Sequence, residues 1–149
     1  MIPADKSWPP SSIILAAAGV ALVGIGLYFI VSRPPLLSED VRYMGLSSAQ
    51  LDAVRPRLEA WLTQVFRVMG GYVVATGVLA ITLAATAIRE HRSGAAFGAL
   101  IGGAFSIGGM AAVNFMIDSD FKWILLVVAL AWACSLGLFW LEKRRLEDK

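Results

Sequence analysis

Apolar residues in this chain gather into four long blocks, at about 12–31, 65–88, 94–117 and 123–141, with polar residues confined to the segments between them. Each block is close to the roughly 20 helical residues that cross a hydrocarbon layer about 30 Å thick. The pattern predicts an all-α integral membrane protein: a single domain over 1–149 made of a four-transmembrane-helix bundle. The first block follows a short charged start at Asp5 and Lys6. Its apolar run of about 19 residues is longer than the roughly 7–15 of a secretion-signal core, so it is expected to stay as a span. Pro34 and Pro35 stop it.

The substantial polar segment, 32–60, carries a second kind of pattern. Leu51, Val54, Leu58, Trp61, Leu62 and Val65 keep helical spacing, while Asp52, Arg55 and Glu59 fall on the other side. This predicts an amphipathic helical loop between the first two spans, resting on the membrane surface or on the bundle mouth. Ser47 and Gln50 have the spacing of a capping box, and Gly45 suits the end of a short preceding turn of helix. Pro56 is expected to interrupt the amphipathic helix and to suit the first turn of the second span.

Small residues mark the third block. Gly94, Gly98, Gly102 and Ser106 recur at i+4, leaving one helix face almost without side chains. Glycine in a water-exposed helix costs roughly 1 kcal/mol relative to alanine. In lipid, a small-xxx-small strip instead lets another helix approach closely. These four residues are therefore the expected helix-packing seam, first within the bundle and second between copies of the chain.

Composition agrees with the membrane class: 58% of residues are hydrophobic and 16% charged, and the mean hydropathy is +0.70. A net charge of +2 is too small to suggest nucleic acid. The single cysteine, Cys134, excludes an intramolecular disulfide and reads as a small apolar filler. His91, the one histidine, sits among Arg89, Glu90 and Arg92 and reads as a solvated loop residue. Thr76, Thr82 and Thr86 are expected to bond carbonyls one turn back in their own helix. No catalytic residue, metal site or cofactor is expected. No acid, lysine or histidine lies in the middle of a span, which counts against proton-coupled carriers such as the small multidrug transporters.

One polar constellation remains. In an up-down bundle, Tyr28, Arg67, Tyr72, Asn114, Asp118 and Trp123 all fall near the same membrane face. Asp118 ends a helix, where the macrodipole disfavours an anion, and Arg67 on the neighbouring antiparallel helix is its expected partner. The group reads as an ion pair and amide pinning the second span to the third, or as a pocket for a lipid headgroup or an amphipathic ligand.

Cations flanking the spans are denser at Arg89, Arg92 and Lys143–Arg145 than at Arg33, Arg67 and Lys122. The positive-inside bias then places both termini in the cytoplasm of a cell (inner) membrane protein. The run FRVMGGYVVATGVL, with Arg67, Gly70, Gly71 and Gly77, resembles small four-helix bacterial membrane proteins of the DoxX-like kind. That resemblance implies the four-helix fold and no particular reaction. The expected role is that of a non-enzymatic accessory or scaffold component acting through helix contacts. Its expected partners are membrane lipids, a second copy or a larger membrane complex. The alternative is a binder or carrier of a lipid or small amphipathic molecule.

Overall fold

A computed structural model of the chain describes residues 7–148; residues 1–6 and 149, including Asp5 and Lys6, lie outside it, as does the side chain of Ser48. The described residues form five helices. They are α1 (Pro10–Val31), α2 (Ser38–Met44), α3 (Ser48–Leu83), α4 (Ser93–Met116) and α5 (Lys122–Glu147). A π-helical turn, Ala84–Ile88, prolongs α3 without a break, and another, Ala104–Gly108, lies inside α4. All but α2 are long and apolar enough to cross a membrane.

The polar segment differs from the expected loop. Its capping box is present: Ser47 N–H donates to Gln50 Oε1 at 3.0 Å and Gln50 N–H to Ser47 Oγ at 3.4 Å. Gly45, at φ 63°, ends α2 in the left-handed conformation that glycine adopts without strain. The helix that Ser47 opens then runs straight through Pro56 into the apolar block. Proline removes one backbone donor and crowds one carbonyl, a local cost that the capped start and the long helix after it outweigh. The amphipathic stretch is thus the first half of the second long helix rather than a separate surface helix.

The bundle is organised around α1, which packs on α3 along one side and on α5 along the other; α4 packs on α5. α3 meets α4 far less than it meets α1, with its contacts on the Ser93–Gly103 half of α4. Two glycine pairs set the α1–α3 distance. A Cβ built on Gly77 would lie 2.6 Å from Gly19 O, and one on Gly26 would lie 2.7 Å from Gly70 O. Backbone meets backbone there, as small-residue seams allow.

The expected seam in the third block is corrected by the same geometry. Gly94, Gly98 and Gly102 have nothing within 4 Å of an added Cβ, and so pack against no other helix of the chain. The face of α4 that does pack carries Ala96, Ala99, Gly103, Ile107 and Ala111. It is rotated by about 100° from Gly102 to Gly103 at 100° per residue. Gly103 lies under the indole of Trp132, whose Nε1–H donates to Ala99 O at 2.9 Å. Trp132 faces the bundle as its mid-span position suggests, being 5% exposed. Cys134 is exposed on the surface of α5 and fills no gap.

Candidate functional site

The six residues expected to line one membrane face are not gathered into a site. Arg67 and Tyr72 stand on the exposed side of α3, Tyr72 being 73% exposed. Asn114 Nδ2 donates to Met110 O of its own helix at 2.9 Å. Tyr28 is half-buried with its ring 6.1 Å from that of Phe121. Trp123, 62% exposed, meets Phe115 edge-on at 5.2 Å. Asp118 pairs with Lys122 one turn on, in place of the expected Arg67. The reason is the helix arrangement: α1 lies between α3 and α5, and α4 packs on α5 rather than along α3.

Asp118 adopts φ 52°, which lets the chain reverse between α4 and α5. The hydrogen bond and charge of Lys122, with a smaller contribution from Arg42, hold its carboxyl below the ordinary value of 3.8. A depressed acid stabilises the fold above its unfolded pKa and loses that contribution as pH falls through the folded value. Because the side chain is 71% exposed, the contribution is small.

What the structure builds at this end is a latch on α2. Glu39, 3% exposed, accepts from Ser119 Oγ at 3.2 Å. Arg42 donates to Asp118 O at 2.7 Å, and Ser119 Oγ accepts from Phe121 N–H at 3.1 Å in the turn just before α5. Beside it, Arg33 pairs with Asp40 at 3.0 Å. The Arg33 guanidinium lies 3.6 Å from the centroid of the Phe66 ring, a close cation–π stack with its side chain 8% exposed.

A second polar cluster occupies the opposite end, where no candidate site residue was expected. α1 opens with Pro9 and Pro10 and has no side-chain cap of its own. The acceptor comes from α5: Ser11 N–H donates to Glu142 Oε1 at 3.0 Å, and Ser11 Oγ to Glu142 Oε2. A carboxylate at a helix N-terminus is favoured by both the orphan N–H groups and the macrodipole. His91, expected to be solvated, is instead 18% exposed, with Nε2 3.4 Å from Glu142 Oε2 and its ring stacked on Phe139 at 5.7 Å. Ser135 Oγ donates to Ser11 O at 2.7 Å, and Lys143 bonds Ser93. The one clue was negative: a helix beginning Pro-Pro-Ser-Ser without a local acid needs an acceptor from elsewhere.

The chemistry open to this cluster is limited by its order. Serine and histidine both contact the carboxylate, and the carboxylate stands between them, so the imidazole does not touch the hydroxyl and the base at Ser11 Oγ is Glu142 itself. Among the described residues no group of three or more His, Cys, Asp or Glu side chains is placed to hold a metal. The cluster clasps α1, α5 and the 89–92 turn together. Compared with known proteins, the chain matches no family model, no curated protein and no solved structure.

Proposed function

We propose that the protein is a non-enzymatic integral membrane component, an accessory or scaffold that works by offering helix faces to another chain. The observation that carries this reading is the bare strip of α4. Gly94, Gly98 and Gly102 open onto empty space, beside Phe97 at 64%, Ile101 at 45% and Phe105 at 85% exposure. Hollows next to aromatic knobs are what a helix from another chain packs into when both lie in lipid. Glu39 and Glu142, by contrast, are engaged in hydrogen bonds between elements of the bundle.

Insertion in a membrane is supported by how little of each apolar helix is covered: 28–33% of the residues in their apolar windows are buried inside the protein. The flanking Arg89, Arg92, Lys143, Arg144 and Arg145 support cytoplasmic termini, with residues 32–64 and 117–121 on the far side. The alternative role, binding an amphipathic molecule, has no observation in its favour, since Arg67, Asn114 and Asp118 line no common space.

The test is Gly98→Leu with Gly102→Leu, followed by native electrophoresis from mild detergent. The expected result is an unchanged helical fold and thermal midpoint with loss of the larger species that the unmodified chain forms. An identical migration of variant and unmodified chain would overturn the role of this face.

A further inference from the structure

The outer face of α5 changes character along its second half. Leu130, Gly137 and Arg144 follow one another at intervals of seven residues, each about 20° around the axis from the last, and all three are exposed. They lie opposite Val128, Trp132, Ser135 and Phe139, which are buried toward the bundle. Trp140 stands beside the row, 46% exposed. Its ring meets Phe139 edge-on at 5.3 Å and has Lys143 Nζ 5.9 Å from its centroid. The row thus passes from an apolar side chain, over bare backbone, to a guanidinium.

The level of this end is set by contacts already described. Glu142 joins Ser11, at the start of α1, to His91 in the 89–92 turn, so the three ends stand side by side. Two indoles mark the same level, Trp8 with Arg89 at 5.6 Å and Trp140 with Lys143, as indoles do in a headgroup layer. α5 runs on past it to Glu147, which carries Arg144 and Arg145 into that layer. Their charge is not taken up by the protein. Glu147 is 3.7 Å from Lys143, and no acid among the described residues lies within 4 Å of the Arg144 or Arg145 guanidinium. At the far end Arg33 pairs with Asp40, Arg55 with Asp52 and Glu59, and Lys122 with Asp118. Arg57 and Arg67, exposed on α3 without such pairs, stand about 15 Å apart along the helix.

We infer that the end of α5 holds an anionic phospholipid, its phosphate at Arg144 and Arg145 and one acyl chain along the row beside Trp140. The inference rests on the membrane reading above. Arginine suits phosphate because its donors form a rigid fork that matches the oxygens. A zwitterionic headgroup carries an ammonium next to its phosphate, and two adjacent guanidiniums repel it; a headgroup with net negative charge meets no such penalty. Gly137 has nothing within 4 Å of an added Cβ, so a chain hanging from that phosphate has room against the helix. Held on the outer face of α5, away from Arg67, Asn114 and Asp118, this lipid anchors the protein in its bilayer and is not cargo in a pocket.

The test incubates the full chain in mild detergent with equal amounts of phosphatidylcholine and phosphatidylglycerol and counts the retained lipids by native mass spectrometry. Phosphatidylglycerol is expected to be retained over phosphatidylcholine by at least about tenfold, the order that two cations at a lipid surface supply. Arg144→Gln with Arg145→Gln is expected to bring the ratio near one. Arg57→Gln with Arg67→Gln, the same loss of charge from α3, is expected to keep it. A ratio near one in the unmodified chain, a preference that survives Arg144→Gln with Arg145→Gln, or equal losses in the two double variants would overturn the site. Inorganic phosphate in about hundredfold excess is expected to leave the lipid in place; displacement would make a soluble anion the occupant and overturn the proposal as well. Flotation with phosphatidylcholine vesicles, expected of all three chains, tests insertion separately from this preference.

Discussion

Replacing Gly77 with leucine is expected to separate α1 from α3 and to unfold most of the protein at temperatures the unmodified chain withstands. The added Cβ alone would meet Gly19 O at 2.6 Å and Val23 N at 2.8 Å, and neither backbone atom can move without its helix. Overpacking a well-packed core costs about 1–3 kcal/mol when side chains can shift. Here they cannot, so a loss of at least about 3 kcal/mol is expected on that scale. Gly24→Leu, on α1 with nothing within 4 Å of its Cβ, is the matched control and should be close to neutral. Unfolding in mixed detergent with increasing SDS, followed by circular dichroism, measures the difference. Equal midpoints for the two variants would show that the glycine seam does not hold the bundle.

The second large effect is expected at Glu142. Truncation to alanine removes the acceptor of Ser11 N–H and Oγ and leaves His91 without its carboxylate. Hydrogen bonds to a charged group contribute about 1.5–3 kcal/mol each, and a helix N-terminus stripped of its acceptor adds to the loss. A total of about 3 kcal/mol follows, given that such terms do not simply add. Glu147→Ala, which removes only a 3.7 Å pair with Lys143 on a side chain 64% exposed, should cost less than about 0.5 kcal/mol. Hydrogen exchange read by mass spectrometry gives a local readout: in Glu142→Ala the first turn of α1 should exchange faster while the α1–α3 seam stays protected.

Much of the helical framework was legible from apolar block length, because a run of that size has few other stable forms. The blocks at 12–31, 94–117 and 123–141 fall within a few residues of Pro10–Val31, Ser93–Met116 and the apolar part of Lys122–Glu147. The second block hid its true start. Pro56 looks like a boundary in sequence, whereas a helix capped at Ser47 absorbs one missing donor.

The seam was harder to read, for a physical reason. Gly94, Gly98 and Gly102 form the denser small-residue row, yet Gly19 and Gly26 of α1, two turns apart, are the ones in contact, with Gly77 and Gly70 of α3. Periodicity shows that a face is thin; which thin face meets a neighbour depends on how the helices are ordered around α1. The same limit applies to Ser11 and Glu142, a pair 131 residues apart whose need for each other shows only as an uncapped helix start.

The most direct test of the membrane reading, that α3 crosses the bilayer between its two flanking turns, is side-specific labelling of Ser47→Cys and Glu90→Cys, each in a Cys134→Ala chain, by a membrane-impermeant maleimide on intact cells. The account predicts that the cysteine at 47 is labelled at once and the one at 90 only after the membrane is opened. Labelling of 90 alone would reverse the orientation and keep the crossing. Labelling of both from the same side would contradict it.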